Sequence, residues 1–174
     1  MKSILILAGI ITIGSNVSAQ KVLPVADSTN LPQLQGKWYE IASIPKIGKK
    51  DCSCTTSEYA YRNGELLITN TCVAKDDGET EKREMIAKPV RGSNNSKLKV
   101  KRGIFGTRLW VLEMDPANQW VMLGHPNRKS LQILTREPSI TENGYQELLK
   151  GLADKFSYDT SRIKRTTLTC PANN

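Results

Sequence analysis

From Gly36 to Arg136 apolar and polar residues alternate with a period of two, and nothing else in the chain constrains its fold as strongly. That period sends successive side chains to opposite faces, as a half-buried strand requires. Strands are expected at Trp38 to Ile44, Thr55 to Tyr61, Glu65 to Cys72 and Lys82 to Lys88, then at Leu98 to Lys101, Thr107 to Met114, Trp120 to Gly124 and Leu131 to Thr135. Turn residues separate them, as in Gly92-Ser93-Asn94-Asn95 and Asp115-Pro116-Ala117-Asn118. Asn63-Gly64 is the strongest hairpin signal. A two-residue turn there sets Tyr61 against Leu66 and Tyr59 against Ile68, with Glu58, Arg62 and Glu65 on the other side.

Eight short strands at hairpin spacing, with no helix between them, read as an antiparallel up-and-down barrel or a sandwich. Closing the sheet on itself removes its edges. At eight strands the interior is just wide enough for side chains or one small ligand. After the last strand the period changes. Tyr145, Leu148, Leu149, Leu152 and Phe156 recur at three- and four-residue steps behind a capping Ser139 or Thr141. A helix from Thr141 to Lys155 is expected, packed outside the barrel. The fold class is therefore all-β, an eight-stranded antiparallel barrel with one C-terminal helix, spanning 34–174 after an N-terminal segment at 20–33.

Residues 1–19 read as a secretory signal peptide: Lys2, an apolar run from Ile4 to Ile13, then Val17-Ser18-Ala19 at the cleavage positions. The apolar run is too short for a membrane span, and no cysteine follows it to take a lipid anchor. An exported protein of about 155 residues is expected, periplasmic or secreted, with room for one real core. All four cysteines fall in that part, and an even count in an exported chain points to two disulfides with three pairings open. Cys52-Ser53-Cys54 is not the C-x-x-C of redox or zinc motifs, and His125 is the only histidine, so neither a metal site nor a cofactor is expected. The formal charge is +8, or +7 without Lys2. Lys97-Leu98-Lys99-Val100-Lys101 alternates its charges with apolar residues, as the wet face of a strand does, so no nucleic-acid partner is expected. The positive balance does allow peripheral contact with an anionic membrane.

By parity the inward positions are Trp38, Tyr59, Tyr61, Leu66, Ile68, Met85, Leu98, Val100, Trp110, Leu112, Met122, Gln132 and Leu134. Any one of them could be packing; as a set they make an apolar cup. Ligand contact is expected from Tyr59, Tyr61, Ile68, Met85 and Val100, and from Trp110, Leu112, Met122, Gln132 and Leu134. Glu40 either forms the polar end of the pocket or faces solvent.

The stretch Leu34-Gln35-Gly36-Lys37-Trp38-Tyr39-Glu40-Ile41-Ala42 resembles the opening motif of the lipocalins, built on G-x-W. Leu131-Gln132-Ile133-Leu134-Thr135-Arg136-Glu137-Pro138 resembles their last-strand arginine motif, while Asp115 to Gly124 lacks the usual T-D-Y of the middle one. The likeness runs from about Leu31 to Cys170 and is greatest to the bacterial outer-membrane lipocalins and apolipoprotein D. It implies a structural role for Gly36, Trp38 and Arg136, with the guanidinium packed across the indole at the closed end. It implies disulfides Cys52–Cys72 and Cys54–Cys170, against a runner-up joining Cys72 to Cys170. It implies a small hydrophobic ligand, a fatty acid or lysophospholipid, carried by a monomer or dimer at or near the outer membrane.

As an enzyme the chain is poorly equipped. His125 sits in a Gly-His-Pro turn, and no spacing pairs Glu40 with Glu113 as acid and base. A thiol-dependent lipocalin enzyme would need an unpaired cysteine. The other alternative is a protein-interaction or stress module acting through the open-end loops, where Ile104-Phe105 between Gly103 and Gly106 makes an apolar tip.

Overall fold

The computed structural model describes residues 21–45, 51–166 and 168–170. The expected signal peptide lies outside the described residues.

A short 3-10 turn at Leu31–Leu34 leads into β1 (Gly36–Ser43), followed by β2 (Cys52–Arg62), β3 (Glu65–Ala74), β4 (Thr80–Pro89), β5 (Lys97–Arg102), β6 (Phe105–Met114), β7 (Trp120–Gly124) and β8 (Leu131–Thr135). Helix α1 (Glu142–Asp154) and a two-residue strand β9 (Lys164–Arg165) complete the chain. Every consecutive pair from β1 to β8 is antiparallel, and β1 also pairs with β8, so the sheet closes on itself. The barrel and the helix after it are those the alternation predicts. β9 was not expected; it extends β1 at the open end through Ala42↔Arg165 and Ser43↔Lys164.

Asn63 and Gly64 both have positive φ, 53° and 82°, as a tight hairpin turn needs, and the register is Tyr61↔Leu66 and Tyr59↔Ile68. Several strands start before their alternating segment does, β2 at Cys52, β4 at Thr80 and β6 at Phe105. These ends form the rim, where backbone pairing continues although burial is limited to single residues such as Cys54 and Ala74 and leaves no alternating pattern.

The buried residues form two clusters, one on each side of the wall. Inside lie Leu31, Leu34, Trp38, Tyr59, Leu66, Ile68, Leu98, Val111, Leu123 and Leu134. Outside, Tyr145, Leu148 and Leu152 of α1 pack with Phe156 and Tyr158 onto Leu112, Met122, Leu131 and Ile133. Thr141 caps α1, its hydroxyl accepting from the Gly144 amide. Gly124 lets the tail approach: an added Cβ would lie 2.4 Å from the Tyr158 hydroxyl and 3.0 Å from Leu112.

The closed end is built around Trp38, which is fully buried and donates its indole N–H to the Leu34 carbonyl at 2.8 Å. The Arg136 guanidinium lies 3.6 Å from the indole centroid. Its N–H groups donate to the carbonyls of Gln33 (2.8 Å) and Lys37 (3.1 Å), fastening the entering segment to the end of β8. Partial burial lowers the pKa of this guanidinium without threatening its charge. Disulfides join Cys52 to Cys72 across β2 and β3 and Cys54 to Cys170 across 116 residues. These are the pairings that the resemblance implies.

Trp38→Ala should cost roughly 3–5 kcal/mol, as large-to-small changes in packed cores do. Chemical unfolding at equilibrium measures it, and an unchanged midpoint would refute the structural role of this side chain. Replacing Cys54 and Cys170 together by Ala should cost about 2–5 kcal/mol.

Candidate functional site

Above the packed floor the barrel holds a cavity of about 680 Å³ that opens at the rim. Small-molecule sites run from about 300 to 1,000 Å³, so there is room for one ligand of ordinary size. Of the expected contact residues, Tyr59, Ile68, Met85, Val100 and Gln132 line it. Tyr61 and Leu134 point to the inner cluster, as do Leu66 and Leu98, and belong to its packing beneath the cavity. Leu109 and Leu123 line the cavity and were not anticipated.

Trp110, Leu112 and Met122 require a correction. They face outward and pack in the cluster beneath α1. The reason is physical: β6 and β7 are apolar on both faces, because one faces the barrel interior and the other lies under the helix. Leu109-Trp110-Val111-Leu112 and Trp120-Val121-Met122-Leu123 therefore carry no alternation that selects a side. A register shift between Val111 and Glu113 adds to this. An asymmetry of charge at Glu113, set against the lysine that follows α1, was the available signal. Lys155 Nζ reaches the Glu113 carboxylate at 2.8 Å on the outer face, so Glu113 stands across the wall from Glu40.

Glu40 is 9% exposed and lines the cavity. It lies one inward position above Trp38 on β1, and Gln132 Nε2 donates to its carboxylate at 2.6 Å. Burial pushes the Tyr59 hydroxyl well above the ordinary tyrosine range, and the negative charge of Glu40 pushes the same way, so Tyr59 stays protonated. Asn70 also lines the cavity, and its side-chain carbonyl is buried without a hydrogen-bond partner.

The mouth is charged. Arg83 makes a two-pronged contact with Glu81 at 2.7 Å on each prong, and Lys75 pairs with Asp51 at 3.0 Å. Arg102, Arg108 and Lys164 line the same mouth without ion pairs among the described residues. His125, also at the rim, is held within its own turn by Asn127 at 2.7 Å. All four cysteines are in disulfides, so no thiol is available as a nucleophile. Among the described residues no group of three or more His, Cys, Asp and Glu could hold a metal, and no helix is long and apolar enough to cross a membrane.

A closed eight-stranded calyx with a plugged floor, an open mouth and an external helix is a container with room for one small molecule. The chain belongs to the lipocalin family: the family model for the lipocalin-like domain matches residues 29–168. It is 31% identical to the outer membrane lipoprotein Blc of Vibrio cholerae, over 91% of this chain and 94% of that one. Temperature-induced lipocalin-1 of Arabidopsis thaliana is 29% identical, over 86% of this chain and 85% of its own. Lobster apocrustacyanin A1 shares the fold with a TM-score of 0.65 at 18% identity, covering 88% of this chain and 94% of that one. Members of this family bind small hydrophobic ligands.

Burial of the tyrosines gives a pH test. The Tyr158 hydroxyl is pushed up to about 12 by burial, and Tyr59 higher still, from an ordinary value of 10.0. A folded-state pKa above the unfolded one means that this contribution to stability is complete below pH 10 and is lost as pH rises through 12. Absorbance at the phenolate band should therefore show Tyr59 and Tyr158 silent near pH 10 in the folded protein. In urea all five tyrosines should titrate together.

Proposed function

We propose that this protein is an exported carrier that holds one long-chain fatty acid or lysophospholipid in the barrel, without catalysing a reaction. The observation that carries this reading is the cavity of about 680 Å³, apolar along Ile68, Met85, Val100 and Leu123, whose rim is predominantly basic. An acyl chain buried there gains about 0.8 kcal/mol per CH₂ removed from water. Its anionic head group meets Arg102, Arg108 and Lys164 at the mouth. The absence of a free thiol and the placement of Glu40 and Glu113 on opposite faces favour a carrier over a catalyst. The outer-membrane name of the Vibrio relative supports export.

The β5–β6 hairpin supports a second element of function. Every residue from Lys101 to Arg108 is exposed, with Ile104 at 94% and Phe105 at 69%, and the segment contains three basic residues and no acidic one. An apolar tip on a cationic stem suits peripheral contact with an anionic membrane, which would bring the mouth to a source of lipid. A protein partner at this tip is the competing occupant.

Calorimetric titration of the delipidated protein with saturated fatty acids should give one site per barrel and an affinity that rises with chain length until the cavity is full. Salt should weaken the head-group contribution and leave the chain-length slope unchanged. Val100→Trp should abolish binding by filling the cavity, whereas Phe105→Ser should preserve it and reduce co-sedimentation with anionic vesicles. Affinity independent of chain length, or no saturable binding, would return the protein-interaction module to first place.

A further inference from the structure

The lower part of the cavity is not a neutral resting place for the methyl end of an acyl chain. Glu40 has a carboxylate with about four lone-pair positions, and among the described residues one side-chain donor, Gln132 at 2.6 Å, reaches it. No lysine or arginine pairs with it among the described residues. Asn70, two strands away on β3, adds a buried carbonyl oxygen with no hydrogen-bond partner among the described residues. Both side chains line the cavity together with the apolar Ile68, Val100 and Leu123, and Asn70 stands across the sheet from Ser57 and Arg83. Buried acceptors without donors are costly, and a saturated hydrocarbon laid against them removes water and offers nothing in exchange.

We propose that the ligand of this barrel is a hydroxylated amphiphile, whose hydroxyl, carried along or at the end of its acyl chain, donates its one proton to Glu40, with the Asn70 carbonyl as the alternative acceptor. The proposal rests on the carrier reading and specifies the ligand class within it. A hydroxyl fits better than an ammonium group. Six basic residues line the mouth through which the ligand passes; Lys75, Arg83 and Arg165 are paired with Asp51, Glu81 and Glu142, which leaves Arg102, Arg108 and Lys164 without ion pairs among the described residues. That field repels an ammonium and attracts an anionic head group. The two polar ends of the cavity thus ask for different groups: a negative one outside and a neutral donor within. A site built to hydrogen-bond a hydroxyl discriminates strongly against the analogue that lacks it, because its own polar groups are then left unpaired.

The test is calorimetric titration of the delipidated full chain with four probes: hexadecanoic acid, 16-hydroxyhexadecanoic acid, octadecanoic acid and 12-hydroxyoctadecanoic acid. At least one hydroxy acid should bind about ten-fold or more tightly than its parent. Glu40→Met should erase most of that preference, chiefly by tightening the parent acid. Asn70→Leu should reduce it by a smaller factor, and serves as the second variant if Glu40→Met does not fold. Equal affinity of parents and hydroxy acids in the unsubstituted protein overturns this proposal alone. A preference that survives both substitutions also overturns it, and failure of all four acids to bind overturns the carrier reading with it.

Discussion

The strand β1 is the one on which the architecture depends. It is hydrogen-bonded to β2 on one side and to β8 on the other, and so converts an open sheet into a barrel with no long exposed edge. The chain must enter β1 steeply from the 3-10 turn beneath it, and Gly36 makes this possible at φ +95°. A Cβ there would lie 3.3 Å from Arg136 Nη1 and crowd the guanidinium that seals the floor. Backbone freedom at Gly36, the buried indole two residues on and the arginine over it therefore act together. A guanidinium on an aromatic face contributes about 0.5–2 kcal/mol; the greater consequence is geometric. With the floor sealed, the cavity opens to solvent only at the rim, and the open-end loops govern entry.

Much of this was legible in the sequence because a one-residue slip in a half-buried strand exchanges its two faces. In β2 to β5 the outer face is wet, so Tyr59, Ile68, Met85 and Val100 could be placed inside by counting in twos. The same counting failed on β6 and β7. There α1 buries the outer face, and Trp110, Leu112 and Met122 are as apolar as the residues that do point inward. The information that distinguishes the faces lies in the helix: Tyr145, Leu148 and Leu152 demand an apolar partner, and a single strand contains no record of which of its faces supplies one. The short β9 was illegible for a different reason. Its pairing with β1 is specified by backbone geometry at the rim, where no pattern of burial accompanies it.

By sequence alone Glu40 fits two roles, the polar end of the pocket or a solvent-facing residue. Gln132 is what places it. Two residues 92 positions apart meet because β1 and β8 are neighbours in the closed barrel, and Gln132 spends its side-chain N–H on the carboxylate at 2.6 Å. Burying a charge without a counter-charge is expensive, and the expense falls unless hydrogen bonds replace the lost water. One amide donor is a partial replacement, so Glu40 retains acceptor capacity directed at the cavity. On the neighbouring strand burial raises the pKa of Tyr59, and the charge of Glu40 adds to it in the same direction.

The positive charge of the chain takes its meaning from this arrangement. A net +8 is compatible with nucleic acid, membrane or nothing at all. Along β5 the lysines at 99 and 101 are exposed on the outer face, while Leu98 and Val100 are buried within, so part of the charge simply wets the barrel. The remainder is concentrated where the wall ends. Arg102, Arg108 and Lys164 converge on the mouth without ion pairs among the described residues, whereas Arg83 and Lys75 are matched by Glu81 and Asp51. Exposed pairs of that kind add little stability. Unmatched cations around an apolar opening instead create a local potential that draws anions, and screening by salt limits its reach to about 10 Å. In the proposed carrier the charge acts on what enters the barrel, and the carboxylate beneath acts on what stays.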